Sequence, residues 1–341
     1  MTTRKPRSSR SGRATMADVA RAVGVSTMTV SRALRAPEMV SDAVRERIAA
    51  ASRRLGFVPS RVASALASER SMNIVVLIPS LSNAVFIDLL AGIQQTLGAL
   101  DYQMLIGVTG YAPEDEEQLL RTYLSHDPDG VLLTGLDHSP GTWELLRTLP
   151  VPVVHTMDLT DRDDCLSVGF SQFDAGHAVG RHLVERGYRR IGLVAAQLDP
   201  RTLRRCEGWR HALREAGLHE PGRELMVPDA SSIGLGATLL ERMLADHPDC
   251  DALFLCNDDL AQGAIFQCTR LGIAVPGRLA IAGFNDLAAS AWTTPPLTTV
   301  ATPRYEIGRE AARLLVSRID GRTAESRSID LGFRLLVRES T

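Results

Sequence analysis

The sequence of 341 residues is poor in lysine, cysteine and long apolar runs, and each shortage excludes a class of protein. Lys5 is the only lysine, which excludes a Walker P-loop and a Schiff-base lysine. The five cysteines are scattered and form no CxxC pair, so neither a zinc module nor a disulfide framework is expected. Apolar runs such as residues 74–78 are far shorter than the roughly 20 residues that cross a bilayer. We therefore expect no metal, no cofactor and no membrane segment.

Signals for secretion and for catalysis are also absent from the sequence. The basic N-terminus has no apolar segment behind it, so no secretory signal is predicted and a cytoplasmic location is expected. There is no HExxH pair and no GxSxG elbow. The adjacent carboxylates Asp258 and Asp259 would point in different directions at a helix start, which makes them a poor acid–base pair. No catalytic residue is predicted, and we expect that the protein is not an enzyme.

The charge of the chain is unevenly distributed. The first 70 residues hold 14 basic and five acidic residues, so this head carries a net charge of +9 and the remainder carries −11. A small basic head on an acidic body is typical of a polyanion-binding module joined to a second unit. A basic head that serves only solubility is the alternative that charge alone leaves open.

The pattern inside the head favours DNA binding. Thr15 and Ser26 are candidate N-caps for helices over residues 16–22 and 27–34, and Gly24 lies at the turn between them. Two short helices joined in this way form a helix-turn-helix unit, whose second helix enters the major groove. The candidate DNA contacts on the outer face are Thr27, Met28, Thr29, Ser31, Arg32 and Arg35.

A third helix is predicted between Ser41, as its N-cap, and Gly56, as its C-terminal stop. The apolar spacing predicts that Leu34 of the second helix and Leu55 of the third face inward. Residues 60–67 have a helix-forming composition but little apolar surface, so they are not expected to form a stable helix alone.

The rest of the chain alternates short β-rich runs with amphipathic helical stretches, which predicts parallel α/β sheets. Ligands of such folds bind outside the carboxyl ends of the strands. The candidate strands are residues 74–78, 103–108, 130–133, 151–155, 191–194, 252–256 and 280–284. The candidate helices are residues 85–100, 114–125, 175–186, 204–216, 232–245 and 259–271.

Several strings carry a resemblance to a known family. VARAVGVS, TVSR and GFVPSRVASAL, all within residues 15–68, resemble the headpiece of the lactose/galactose repressor family. MTVSRALRAPEMVS and CNDDLAQGAIFQCTRLGIAVP are similar to the gluconate-type repressors of that family, as are LDPRTLRRCEGW and AIAGFNDL. The resemblance implies an α/β protein with a small all-α helix-turn-helix headpiece. It also implies a two-lobed core, similar to periplasmic sugar-binding proteins, with two parallel sheets.

The resemblance also implies a domain organisation. In that family a hinge folds into a helix on operator DNA and inserts a leucine into the minor groove; Leu66 matches that leucine, and Arg61 is a further expected DNA contact. The chain is expected to cross between the lobes three times. The expected domains are a flexible basic arm (1–14), the helix-turn-helix headpiece (15–58), a hinge helix or linker (59–71), and an effector-binding and dimerisation core (72–341) with an N-lobe (72–169 and 302–326) and a C-lobe (170–299 and 327–341).

A gluconate-like effector sets requirements that the core can meet. Its carboxylate favours a bidentate arginine, and its hydroxyls favour asparagine and aspartate. By the resemblance, Arg205 and Asn257 match effector-binding positions. Arg201 and Arg204 are expected to be solvated rather than to bind the effector. His155 ends a strand between apolar residues, so it either faces the cleft or, as we expect, is a core histidine. The other effector-binding candidates are Ser80, Asn83, Phe86, Phe170, Ser171, Asn285 and Thr302.

The expected function is a homodimeric repressor that binds palindromic double-stranded operator DNA and is released by a small sugar acid. Gluconate, ketogluconate and phosphogluconate use similar polar groups, so all three stay open. The alternatives are a sugar-binding protein with no role on DNA and a corepressor-type regulator that responds to a neutral sugar. An enzyme acting on sugar acids is the third alternative, disfavoured because no nucleophile–base arrangement is visible.

Overall fold

The structure is a computed structural model that describes residues 14–58, 70–323 and 326–341, without the side chain of Arg35. The chain divides into two compact units, Met1–Ser71 and Met72–Thr341. In the described ranges, every helix falls short of the length and apolar character that a membrane span requires.

Three short helices and their capping residues form the N-terminal unit. They are α1 (Met16–Val23), α2 (Thr27–Arg35) and α3 (Asp42–Leu55). The Thr15 hydroxyl accepts a hydrogen bond from the Asp18 amide, and the Asp18 carboxylate accepts one from the Thr15 amide. The Ser26 hydroxyl accepts a hydrogen bond from the Thr29 amide at 3.0 Å. Both predicted caps are confirmed, and Gly24 provides the left-handed turn between the helices with φ 72°.

The core of this unit is built from one side of each helix. Val19, Val30 and Ile48 are at most 2% exposed and form its centre. Leu34 and Leu55 are exposed, so the prediction that they face inward is wrong; each lies in the last two residues of its helix, beyond the buried cluster. Ser41 precedes α3 as predicted, but its side chain makes no capping hydrogen bond.

Two parallel sheets organise the second unit, as the predicted fold class requires. The first sheet has the strand order β11-β5-β4-β3-β1-β2 and the second has the order β7-β6-β8-β9. The strands of the first sheet are β1 (Asn73–Ile78), β2 (Gln103–Val108), β3 (Gly130–Thr134), β4 (Val153–Thr156), β5 (Ser167–Gly169) and β11 (Ser328–Asp330). Those of the second are β6 (Ile191–Ala195), β7 (Glu224–Met226), β8 (Ala252–Leu255) and β9 (Ala280–Ala282).

Helices cover these sheets and pack against one another through glycines. The helices are α4 (Val85–Gly98), α5 (Pro113–Leu124), α6 (Pro140–Thr148), α7 (Gln172–Glu185), α8 (Pro200–Glu215), α9 (Ile233–Asp246), α10 (Asp258–Leu271) and α11 (Arg304–Ile319). A Cβ atom at Gly208 would lie 1.9 Å from the carbonyl oxygen of Phe173, and one at Gly92 would lie 2.1 Å from that of Tyr305. The pairs α7–α8 and α4–α11 therefore touch backbone to backbone.

A small antiparallel sheet joins the chain segments that pass between the lobes. β10 (Thr299–Ala301) pairs with β12 (Arg334–Leu336). The preceding strand β11 pairs with β5 in the first sheet, so residues 328–330 belong to the N-lobe. The third crossing therefore follows Asp330, and the predicted lobe boundary between residues 326 and 327 is about four residues too early. A strand of three residues is too short to produce the alternating pattern that marks longer strands.

The close contact between α7 and α8 predicts that alanine at position 208 destabilises the core. Gly208→Ala places a methyl group against the Phe173 carbonyl, so we expect the free energy of unfolding to fall by about 1–3 kcal/mol. Gly234→Ala is the matched control, because no atom lies within 4 Å of its Cβ position. Urea unfolding measures both variants, and equal stability of the two would contradict the backbone contact.

Candidate functional site

A polar cavity lies between the two lobes of the core, at the carboxyl ends of both sheets. The space in this cavity that is open to the centre of a water molecule amounts to about 30 Å³. Its lining from the N-lobe is Asn83, Val85, Phe86, Tyr111 and Met157. Its lining from the C-lobe is Phe170, Gln172, Gln197, Asp199, Arg201, Thr202, Arg205, Asn257 and Asn285.

The structure brings together most of the effector-binding candidates. Six of the nine line this cavity: Asn83, Phe86, Phe170, Arg205, Asn257 and Asn285. Three candidates do not line it and instead hold the backbone around it. The Ser80 hydroxyl accepts a hydrogen bond from the Asn83 amide, Ser171 is the N-cap of α7, and the Thr302 hydroxyl donates to the carbonyl oxygen of Asn285.

Arg205 is a buried cation with no carboxylate partner in the part of the chain that the structure describes. Its Nε donates to Oε1 of Gln172 at 3.1 Å, and its Nη1 donates to the Cys256 carbonyl at 2.6 Å and to Oδ1 of Asn257 at 3.3 Å. Its guanidinium carbon lies 3.9 Å from the centre of the Phe284 ring. Burial lowers the pKa of Arg205, but a guanidinium stays charged at neutral pH. A buried charge held only by neutral groups favours an anionic ligand.

Arg201 differs from Arg205 because it has a carboxylate partner. Its Nε lies 3.1 Å from Oδ1 of Asp199. Burial by itself would lower the pKa of Arg201, but the nearby carboxylates, Asp199 foremost, outweigh it and the pKa is raised. Nη1 of Arg201 lies against Gly135 of the N-lobe and has no hydrogen-bond partner among the described residues. The prediction that Arg201 is solvated is wrong, whereas Arg204 is exposed as predicted.

Amide side chains supply most of the remaining polarity. Nδ2 of Asn83 donates to the Tyr111 hydroxyl at 3.0 Å. Asn257 is the N-cap of α10, yet its side chain makes no capping hydrogen bond. Its Oδ1 instead accepts from Arg205 and, at 3.4 Å, from Nδ2 of Asn285. The cavity therefore offers both donors and acceptors, which a polyhydroxyl ligand requires.

The side chain of Asp258, at the start of α10, has a structural role. It is fully buried, and its carboxylate accepts hydrogen bonds from the hydroxyls of Ser290 and Thr299 and from the Leu287 amide. Burial raises the pKa of Asp258, while these hydrogen bonds act in the opposite direction. The side chain thus anchors the loop after β9 rather than lining the cavity.

Two side chains connect the lobes near the cavity. Nε2 of Gln172 donates to the carbonyl oxygen of Met157, while its Oε1 holds Arg205. Arg304, the first residue of α11, donates to the Asn285 carbonyl and lies 2.7 Å from the carboxylate of Asp88 on α4. Gln172 and Asn285, which both line the cavity, are therefore each hydrogen-bonded to a residue of the opposite lobe.

His155 lies below the cavity and does not line it. It is 2% exposed, and its Nδ1 lies 3.1 Å from Nε2 of His138 and 3.2 Å from the Gly135 carbonyl. Burial, and then the neighbouring His138, lower the pKa of His155 to about 3, so it is neutral at pH 7. The interpretation as a core histidine is confirmed.

Several cavity residues were not singled out by the sequence. Asp199 had a usable signal, because aspartate before a proline is a typical N-cap at the start of α8. Gln172 and Tyr111 carried no such sequence signal, since neither a glutamine in the first turn of a helix nor a tyrosine in a loop is typical of a binding site. The other lining residues that the sequence did not indicate are Val85, Met157, Gln197 and Thr202.

The candidate DNA surface is the outer face of α2. Thr27, Met28 and Arg32 are exposed there, and Thr29 and Ser31 are half-buried. The backbone of Arg35 ends the helix. Two further candidates, Arg61 and Leu66, lie outside the described residues.

Comparisons with known proteins match both units. Residues 15–60 match the family model of bacterial regulatory proteins of the lacI family. Residues 181–341 match the model of a periplasmic binding protein-like domain. The HTH-type transcriptional regulator GntR of Pseudomonas aeruginosa is 44% identical over 330 residues, which are 97% of this chain and 96% of that protein.

Solved structures agree with this match. The transcription regulator GntR from Chromobacterium violaceum is 56% identical, with a TM-score of 0.77 over 79% of this chain and 98% of that one. A lac repressor dimer bound to operator and the anti-inducer ONPF is 25% identical, with a TM-score of 0.84 over 96% of this chain and 99% of that one. These relatives are regulators and not enzymes, which confirms the expectation drawn from the sequence. The chain belongs to the lactose/galactose repressor (LacI) family of DNA-binding transcription regulators.

Proposed function

We propose that this regulator is a repressor released from operator DNA by a sugar monocarboxylate, with gluconate as the first candidate. The observation that carries the proposal is the Arg205 guanidinium, buried in the cavity and held only by neutral groups. The strings that are similar to gluconate-type repressors support the same ligand class.

The charge of the cavity favours a single negative charge on the ligand. Its charged lining residues are Arg201, Arg205 and Asp199, so two cations face one carboxylate. Asp199 forms an ion pair with Arg201 and also interacts electrostatically with Arg205, so the three groups together leave one positive charge for the ligand. A monoanion such as gluconate or ketogluconate balances this charge, whereas a phosphorylated sugar acid brings about two further negative charges.

The ligand class predicts that Arg205→Gln weakens gluconate binding at least tenfold. Loss of one partner of a desolvated charge pair typically costs about 2–5 kcal/mol, which is more than a tenfold change in Kd. Calorimetric titration with gluconate, ketogluconate, phosphogluconate and glucose measures the effect. Arg204→Gln is the matched control. It removes the same charge from the preceding residue, which is exposed and does not line the cavity.

Three results of that titration would contradict the proposed ligand class. They are tight binding of glucose with no response to gluconate, equal losses in both variants, and gluconate affinity that is unchanged by Arg205→Gln. Retained operator binding and a cooperative unfolding transition show that the variant is folded.

We propose that the protein acts on DNA as a homodimer. The lac repressor structure described above is a dimer on operator. The domain assignment, with a basic arm at 1–14 and a hinge at 59–71, completes the proposed organisation.

The proposed switch follows from the contacts of the cavity with both lobes. A ligand that touches Asn83 in one lobe and Arg205 in the other favours one arrangement of the lobes. It shifts the equilibrium only by its differential affinity for the two arrangements. In the corepressor alternative the ligand makes the same contacts with the cavity but strengthens operator binding instead of weakening it.

The switch predicts that gluconate weakens operator binding at least fivefold, the lower end of typical coupling between sites. Fluorescence anisotropy on a palindromic operator, selected from a random duplex library, measures it with and without gluconate. Arg205→Gln should bind the operator as the wild type does but not respond to gluconate.

Arg32→Ala should weaken operator binding and reduce the slope of log K against log salt by about 0.9.

The control for the last variant is Arg242→Ala, which removes one exposed charge from the C-lobe. Equal effects of the two substitutions would contradict the role of α2. Tighter operator binding with gluconate would reverse the sign of the switch, and unchanged binding would remove the switch.

A further inference from the structure

We propose a divalent-cation site for Zn²⁺ on the outer surface of the C-lobe, formed by His177, His211 and Glu215. His177 lies on α7, and the other two lie on α8. The site is separate from the effector cavity, which none of the three residues lines.

The three ligand atoms already lie close together. Nε2 of His177 is 2.7 Å from Oε2 of Glu215, and Nδ1 of His211 is 3.5 Å from Oε1 of the same residue. One ligand atom from each residue lies within 4.8 Å of the other two. A tetrahedral zinc ion with bonds of about 2.0–2.1 Å needs ligand separations of about 3.4 Å. His211 and Glu215 are half exposed, so small side-chain rotations bring the three atoms to that separation.

The framework under the site is rigid. His211 and Glu215 are four residues apart, so they project from the same face of α8. The neighbouring helix is fixed at backbone contact, because a Cβ atom at Gly176 would lie 2.0 Å from the Arg205 carbonyl. The Phe173 ring stacks on His177 and meets His211 edge-on, with ring centres 6.4 and 5.6 Å apart. The two helix backbones and the Phe173 ring therefore hold the two imidazoles near each other before an ion arrives.

The donor set suits zinc and the other divalent transition metals rather than oxygen-binding cations, and zinc is the ion that we propose. Two imidazole nitrogens and one carboxylate oxygen are the ligands of open zinc sites, which keep a fourth position for water. Glu215 is exposed, and an exposed glutamate is ionised at neutral pH, so this side chain supplies a carboxylate anion. Magnesium prefers oxygen ligands and is not expected to compete.

The test is titration of the untagged full-length protein with zinc chloride, with a chromophoric zinc indicator in competition. We expect one zinc ion per chain at this site. His211→Gln and Glu215→Gln should each weaken binding at least tenfold, because loss of even an outer-shell group typically costs 10–100-fold in metal affinity. Zinc should also raise the midpoint of thermal unfolding of the wild type, and this shift should be lost in both variants.

His247→Gln is the matched control, because His247 is a half-buried histidine of the same lobe that lies outside the cluster. The zinc affinity of this variant should equal that of the wild type. A tenfold excess of magnesium should leave the zinc affinity of both proteins unchanged. Absence of saturable one-to-one binding in the wild type would overturn the proposal. Equal zinc affinity of His211→Gln and the wild type would overturn it as well.

Discussion

A buried guanidinium that pairs with no carboxylate among the described residues is the constraint on which the proposed effector site depends. Arg205 loses the solvation of its charge and gains two side-chain amide oxygens, one backbone carbonyl oxygen and the face of an aromatic ring. Such an arrangement is costly in the free protein, because neutral groups compensate a buried charge incompletely. In the proposed complex the carboxylate of the ligand reduces this cost, so the buried charge that destabilises the free protein would provide ligand affinity.

The rest of the cavity holds Arg205 in place. α8 contacts α7 through glycine, which fixes the backbone from which Arg205 projects. Gln172, at the start of α7, bonds both Arg205 and a carbonyl of the opposite lobe. Arg304 connects the other side of the cavity to Asp88 on α4. A ligand seated between these groups acts on bonds that reach both lobes, which is the physical basis of the proposed switch.

The sequence predicted the parts of this structure that depend on local pattern. Thr15 and Ser26 are caps whose effect is confined to a few residues, and the longer strands and helices carry clear periodicity, so both were found. The sequence did not predict the burial of Arg201, because that burial arises from contact with Gly135, 66 residues earlier in the chain. Ser171 and Thr302 lie beside the cavity, but their hydroxyls are used by the backbone. Whether such a hydroxyl faces the cavity or bonds the backbone depends on how the assembled lobes pack, which the local sequence does not show.

The most direct test of the proposed effector site is a crystal structure of the full-length protein grown with gluconate. The carboxylate of the ligand should lie within about 3 Å of the Arg205 guanidinium, the usual length of a charge-assisted hydrogen bond. The hydroxyls should bond Asn257 in the C-lobe and Asn83 in the N-lobe. A ligand whose carboxylate points away from Arg205, or that contacts only one lobe, would contradict the account.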